Sequence, residues 1–192
     1  MSLGFSRLRR GVLWGLLSMF GGCSRQTVDD WDVLCELISP GDSSLKEEVR
    51  LARTDKEGYF ARYEDQLWER GIEAAAGVQP WLALIDGLER RGLLREFDWK
   101  LEREELRFQL EKLRPCKQQN VCLAQLGSTS AEGETLFSVA ASELAGYSLA
   151  LLWFHMESDS YPSVVVPVAE VERVIAAAAR VGEQVLQWPP AA

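Results

Sequence analysis

The chain has 192 residues, 47% of them hydrophobic, which is enough apolar material to build a core at ordinary domain size. Its 29 Asp and Glu outnumber its 21 Lys and Arg, and three of those cations (Arg7, Arg9 and Arg10) precede Cys23, where there is no carboxylate, so the remainder sets 18 cations against 29 anions, near −11. Such a surface repels phosphate backbones and acidic lipid head groups, which argues against a nucleic-acid reader or a binder of acidic membranes and suits solubility or a basic protein partner.

Residues 1–25 read as an apolar leader or tail. Arg7-Leu8-Arg9-Arg10 precedes the uncharged run Gly11 to Gly22, which is too short to span a bilayer and is ordered like a secretory signal. Phe20-Gly21-Gly22-Cys23 resembles a lipoprotein cleavage box whose cysteine sulfur, here Cys23, would accept the lipid. Phe20 stands where such boxes usually carry Leu, and Gly15 and Ser18 interrupt the apolar run. An apolar tail that is kept, or a start at Met19, are the alternatives. A membrane is therefore expected as a partner only if Cys23 is lipidated; a cytoplasmic location is favoured, with an exported, anchored lipoprotein as the alternative.

Residues 26–190 are expected to form a single α+β domain. A helix is predicted after Thr27 through Trp31, Leu34, Cys35 and Ile38, ended by Pro40-Gly41. Ser44 with Glu47, and Thr54 with Glu57, have capping-box spacing ahead of two further helices, the second carrying Phe60, Tyr63, Leu67 and Trp68 and ending at Gly71. Pro80 sits at a first helical position, and residues 79–91 read as a helix closed by Arg90-Arg91-Gly92. Leu93 to Trp99 alternates as a short strand, and Leu106, Leu110 and Leu113 mark a helix stopped by Pro115. Residues 115–130 look irregular, and Leu136, Val139, Ala140 and Leu144 then resume the helical period up to Gly146.

Tyr147 to Phe154 is apolar at almost every position, as in a central strand buried on both faces. Ser158-Asp159-Ser160 marks a turn into Ser163 to Val166, giving a β-hairpin. Pro167 is expected to open a last helix through Val181, closed by Gly182, before a strand at Val185, Leu186 and Trp188. The sum is a helical N-terminal half followed by a small, mainly antiparallel sheet of about four strands, with helices packed on one face.

Cys116 and Cys122 flank a polar run and would pair only in an oxidising compartment, whereas Cys35 falls in an apolar helical pattern. No cysteine has zinc spacing, and no P-loop, dinucleotide, GxSxG or HExxH pattern occurs, so no cofactor is expected. The most suggestive chemistry is His155-Met156-Glu157-Ser158-Asp159-Ser160-Tyr161-Pro162. In an extended chain His155, Glu157 and Asp159 would point to one side, where they could hold a divalent metal or move protons, with Asp98 or Tyr161 assisting. The same residues also suit a solvated turn. Of the tryptophans, Trp31, Trp68, Trp81, Trp99, Trp153 and Trp188 sit in apolar patterns and are expected in the core; any left on the surface would mark a protein-binding patch.

Five segments carry a family resemblance: Leu37-Ile38-Ser39-Pro40-Gly41-Asp42, Glu69-Arg70-Gly71-Ile72, Pro80-Trp81-Leu82-Ala83-Leu84-Ile85-Asp86, Glu96-Phe97-Asp98-Trp99-Lys100 and Glu157-Ser158-Asp159-Ser160-Tyr161-Pro162. From about Trp31 to Trp188 the chain resembles an uncharacterised bacterial family built on a domain of unknown function. The resemblance implies a compact α+β domain, often cytoplasmic, and brings no activity with it; the family pattern has an acidic residue near His155, from which this chain departs. The expectation is a non-enzymatic protein-binding domain, of the kind that neutralises a basic toxin. A small metal-dependent enzyme using His155, Glu157 and Asp159, or a structural lipoprotein, are the alternatives.

Overall fold

The computed structural model describes residues 29–98 and 100–190. The leader, with Cys23 and Thr27, and Trp99 lie outside the described residues. Three helices open the described chain, α1 (Asp30–Ile38), α2 (Ser43–Thr54) and α3 (Lys56–Glu69). Each starts on an aspartate whose carboxylate accepts a backbone N–H of the first turn: Asp29 from Trp31 at 2.9 Å, Asp42 from Leu45 at 3.0 Å and Asp55 from Gly58 at 2.9 Å. The caps are therefore not Ser44 and Thr54. Asp and Ser compete for the same job, and here the carboxylates win the orphan amides, with Ser44 donating its hydroxyl to Asp42.

Helix α4 (Pro80–Arg90) begins on its proline and ends in a Schellman turn: Leu93 N–H reaches Leu88 O and Gly92 N–H reaches Glu89 O, with Gly92 at φ +64°. That turn delivers the chain into β1 (Leu94–Asp98). Helix α5 (Arg103–Lys112) does not simply stop at Pro115. A second short helix, α6 (Arg114–Gln119), starts there, because a proline at a first helical position gives up only an N–H that would have had no partner. After α7 (Thr135–Ala145) come β2 (Leu149–Phe154), β3 (Ser160–Pro167), α8 (Val171–Arg180) and β4 (Val185–Gln187). Pro167 closes β3 rather than opening α8, and a turn of 3-10 helix, Val168–Glu170, separates them.

The four strands make one antiparallel sheet in the order β1-β3-β2-β4. Side chains alternate across it. Leu94, Ala150, Leu152, Phe154, Val164, Val166 and Val185 pack on one face against residues of α1, α2, α4 and α8, among them Leu34, Leu45, Leu84 and Val174. Phe97, Leu149, Leu151 and Val165 pack on the other against Leu106, Leu110, Cys116, Phe137, Ala140 and Leu144 of α5, α6 and α7. The expectation of helices on one face is thus corrected: both faces are covered, which is why β2 carries no polar residue. A smaller cluster, Ala52, Tyr59, Leu67, Val78 and Ala83, ties α3 to α2 and α4.

Candidate functional site

The residues expected to carry chemistry gather at one end of the sheet. β1 and β3 pair so that Asp98 lies opposite Ser160 and Phe97 opposite Tyr161. β2 ends at Phe154, and residues 155–159 leave the strand through bends before β3 begins. The two-residue alternation that would align His155, Glu157 and Asp159 therefore does not apply. His155 N–H is bonded to Gln184 O at 2.9 Å and its ring rests 5.6 Å from that of Trp153. Asp98 turns back to accept Lys100 N–H at 2.8 Å. Among the described residues no three His, Cys, Asp or Glu side chains are grouped so as to hold a metal ion, so the geometry does not support the metal-enzyme alternative.

Tyr161 is the one member with a strong partner. Its hydroxyl donates to the Glu134 carboxylate; that hydrogen bond, with some help from burial, pushes the phenol up to about 12. Glu134, Ser158, Asp159 and Tyr161 border a shallow depression of about 310 Å³. Tyr161 also belongs to an aromatic cluster with Phe137, Trp153 and Trp188 that closes this end of the core. Cys116 is buried in α6 and Cys122 is exposed, and both are free thiols. Burial pushes Cys35 and Cys116 to about 12, so neither is a nucleophile at neutral pH.

Sequence reading missed a buried ion network beside this turn. Arg70, at the end of α3, bonds Asp86 of α4 through Nε at 2.7 Å and reaches Glu96 of β1 through Nη2 at 2.9 Å. Ser160 Oγ donates to the other Glu96 oxygen at 2.6 Å, and Ser158 Oγ lies 3.0 Å beyond. Asp86 is only 1% exposed, and burial raises its pKa in spite of Arg70. A second network ties α2 to α4: Arg91 bonds Asp42 and Glu48, and Arg90 bonds Glu48. Four of the five segments that carry the family resemblance meet in the Arg70 chain, and the fifth supplies Asp42. Both networks spend their charges internally, which makes them clamps between elements. No spacing could have announced them, since Arg70, Asp86, Glu96 and Ser160 are joined only by the fold.

Part of the unpaired negative charge lies on the outer side of α3. Glu57, Glu64, Asp65 and Glu69 are exposed and form no ion pair among the described residues. Among them stands Trp68, 51% exposed, which corrects its expected place in the core. Leu67 takes the inward position at the end of α3, and Trp68, a hundred degrees further round, faces out. The helix is kinked at Tyr63 (φ −125°, ψ 25°), whose ring lies 4.5 Å from the Arg90 guanidinium. Beside the kink, residues 61–66 line a cleft of about 310 Å³.

Fold and surface together define an acidic α+β protein with a sheet sealed on both faces and an exposed tryptophan on an anionic helix. The chain belongs to the family described as domain of unknown function (DUF6630), whose model matches residues 30–189, every element from α1 to β4. No curated protein and no solved structure matches it.

Proposed function

We propose that this protein is a non-enzymatic binding module that captures a basic protein partner through the outer face of α3, in the manner of an immunity protein neutralising a cationic toxin. The observation that carries the reading is Trp68, half exposed in a field of carboxylates without cations of their own. A large amphipathic ring supplies desolvation energy at the centre of an interface, and the surrounding charge speeds encounter and selects the sign of the partner.

A photo-crosslinking residue at the exposed position Ala61 in the native host tests it. The reading expects one dominant adduct with a protein of high isoelectric point. The complex should weaken at least about tenfold when salt rises from about 50 to about 300 mM, because exposed pairs are screened over a Debye length of about 8–10 Å. Trp68→Ala should cost it about 2 kcal/mol or more. A salt-insensitive complex, or one indifferent to Trp68→Ala, rejects the reading.

A further inference from the structure

A second feature lies on different elements from the α3 face. β1 pairs with β3 only as far as Leu94 opposite Val164, while β2 accompanies β3 on its other side down to Pro167. The last three residues of β3 are therefore left without a strand on the β1 side. The chain that could have continued β1 is diverted, since Leu93 N–H is committed to Leu88 O in the turn that ends α4. Helices cover both faces of the sheet, so the shortfall leaves a slot between the two helical layers, with the end of α1 on one side and α6 on the other. It measures about 750 Å³, within the range of about 300–1,000 Å³ typical of small-molecule sites.

The chemistry of the slot is specific. Its floor and walls include Leu37, Ile38, Leu93, Val165 and Pro167, aliphatic groups with no aromatic ring among the lining residues. Four charged groups stand around it. Glu36 is neutralised by Lys46 at 2.5 Å, and Glu170 by Arg173 at 2.6 Å. Arg114 has no ion pair among the described residues; its guanidinium makes only a hydrogen bond of 3.5 Å to the Ser39 hydroxyl. In a protein whose described span is strongly anionic, the uncompensated charge at this slot is a cation.

We propose that the slot binds an aliphatic carboxylate, its chain against Leu37, Leu93 and Val165 and its head group on Arg114. A guanidinium presents a planar fork of donors that matches a carboxylate. An alkyl chain matches the aliphatic side chains of these walls.

The test is a titration of the folded protein, followed by backbone amide NMR, with octanoate and, as the uncharged comparison, 1-octanol. Octanoate should give saturable shifts centred on the amides of Leu37, Leu93 and Val165, and should bind about fivefold tighter than octanol, the scale of a single partly exposed ion pair. Arg114→Gln should remove that preference while leaving octanol binding in place. Gln118 stands exposed on the rim, so Gln118→Glu offers a second variant that leaves the core alone; it should weaken octanoate and spare octanol. If Arg114→Gln melts early, the Gln118→Glu pair of titrations and the wild-type preference decide. Shifts that fail to saturate or centre elsewhere, or equal affinity for acid and alcohol in the wild-type protein, overturn the proposal.

Discussion

Asp86 and Asp42 are both held by arginines, yet their carboxyl groups move in opposite directions. Asp86 is deep enough that desolvation wins, and its pKa is raised. For Asp42 burial also pushes upward, but the Ser44 hydroxyl, the Leu45 N–H and the Arg91 guanidinium together outweigh it and hold the carboxyl below its usual range. The consequences for stability have opposite signs. Below about pH 4, where the unfolded chain protonates Asp42 and the folded one resists, the stability that Asp42 contributes at neutral pH drains away as acid is added. Asp86 prefers its proton in the folded state, so its contribution falls as pH rises above the unfolded value. Thermal melts from pH 7 to pH 2 should accordingly show a shallower acid loss in Asp42→Asn than in the wild type. Removing the partner of Asp86 is a harsher change: Arg70→Met strands a buried carboxylate and should cost about 3–5 kcal/mol in urea unfolding. Adding Asp86→Leu to that variant should recover most of the loss, because the expensive state is the unpaired charge and not the absence of the pair.

The packing of α4 on α2 depends on one small residue. A methyl group at Gly87 would sit 2.6 Å from Leu45 Cδ1 and 3.2 Å from Glu48 Oε2. In an exposed helix Gly→Ala gains about 1 kcal/mol, but here overpacking of about 1–3 kcal/mol should make Gly87→Ala a net loss. Truncating Leu45 to Ala should cost less in that background than in the wild type, and a double-mutant cycle by chemical denaturation measures the difference. At this scale much was legible in the sequence. Pro80 and Gly92 bracket α4, and the apolar runs of β2 and β3 announce the hairpin, because each is a local pattern with one conformational meaning. What failed were patterns with two meanings. Pro115 can end a helix or begin one, and Asp42 and Ser44 can each cap. Trp68 reads as core beside Leu67 because periodicity assigns a face to a helix without saying how wide that face is. The turn at 155–159 failed for a different reason: alternation holds only while the chain is extended, and β2 ends one residue before His155.

At the scale of the molecule, the order of helices and strands could be read along the chain, but the layering could not. Burial of both faces of β2 was visible in its composition, whereas which helices cover which face depends on crossings between α4, α7 and α8 that no local pattern records. The Arg70 network and the Arg114 slot are products of that layering. Charge is the global property that sequence states without ambiguity: four of the 21 cations precede Asp29, so residues 29–190 hold 17 cations against 29 carboxylates, a net charge of −12 with His155 neutral. With Arg70, Arg90 and Arg91 already committed to the clamps, the excess anions repel one another across an otherwise well-packed body. Melting temperature should rise as salt increases from about 10 to about 300 mM, because added ions shorten the screening length from about 30 Å to less than 8 Å. Reversing Glu64, Asp65 and Glu69 to Lys should raise stability at low salt, by up to about 0.5 kcal/mol per position, and flatten the salt dependence. The same variant should lose the basic partner. An anionic face that costs the isolated protein stability is expected where binding repays that cost, so a triple variant that is more stable and still binds would separate the charge from the function.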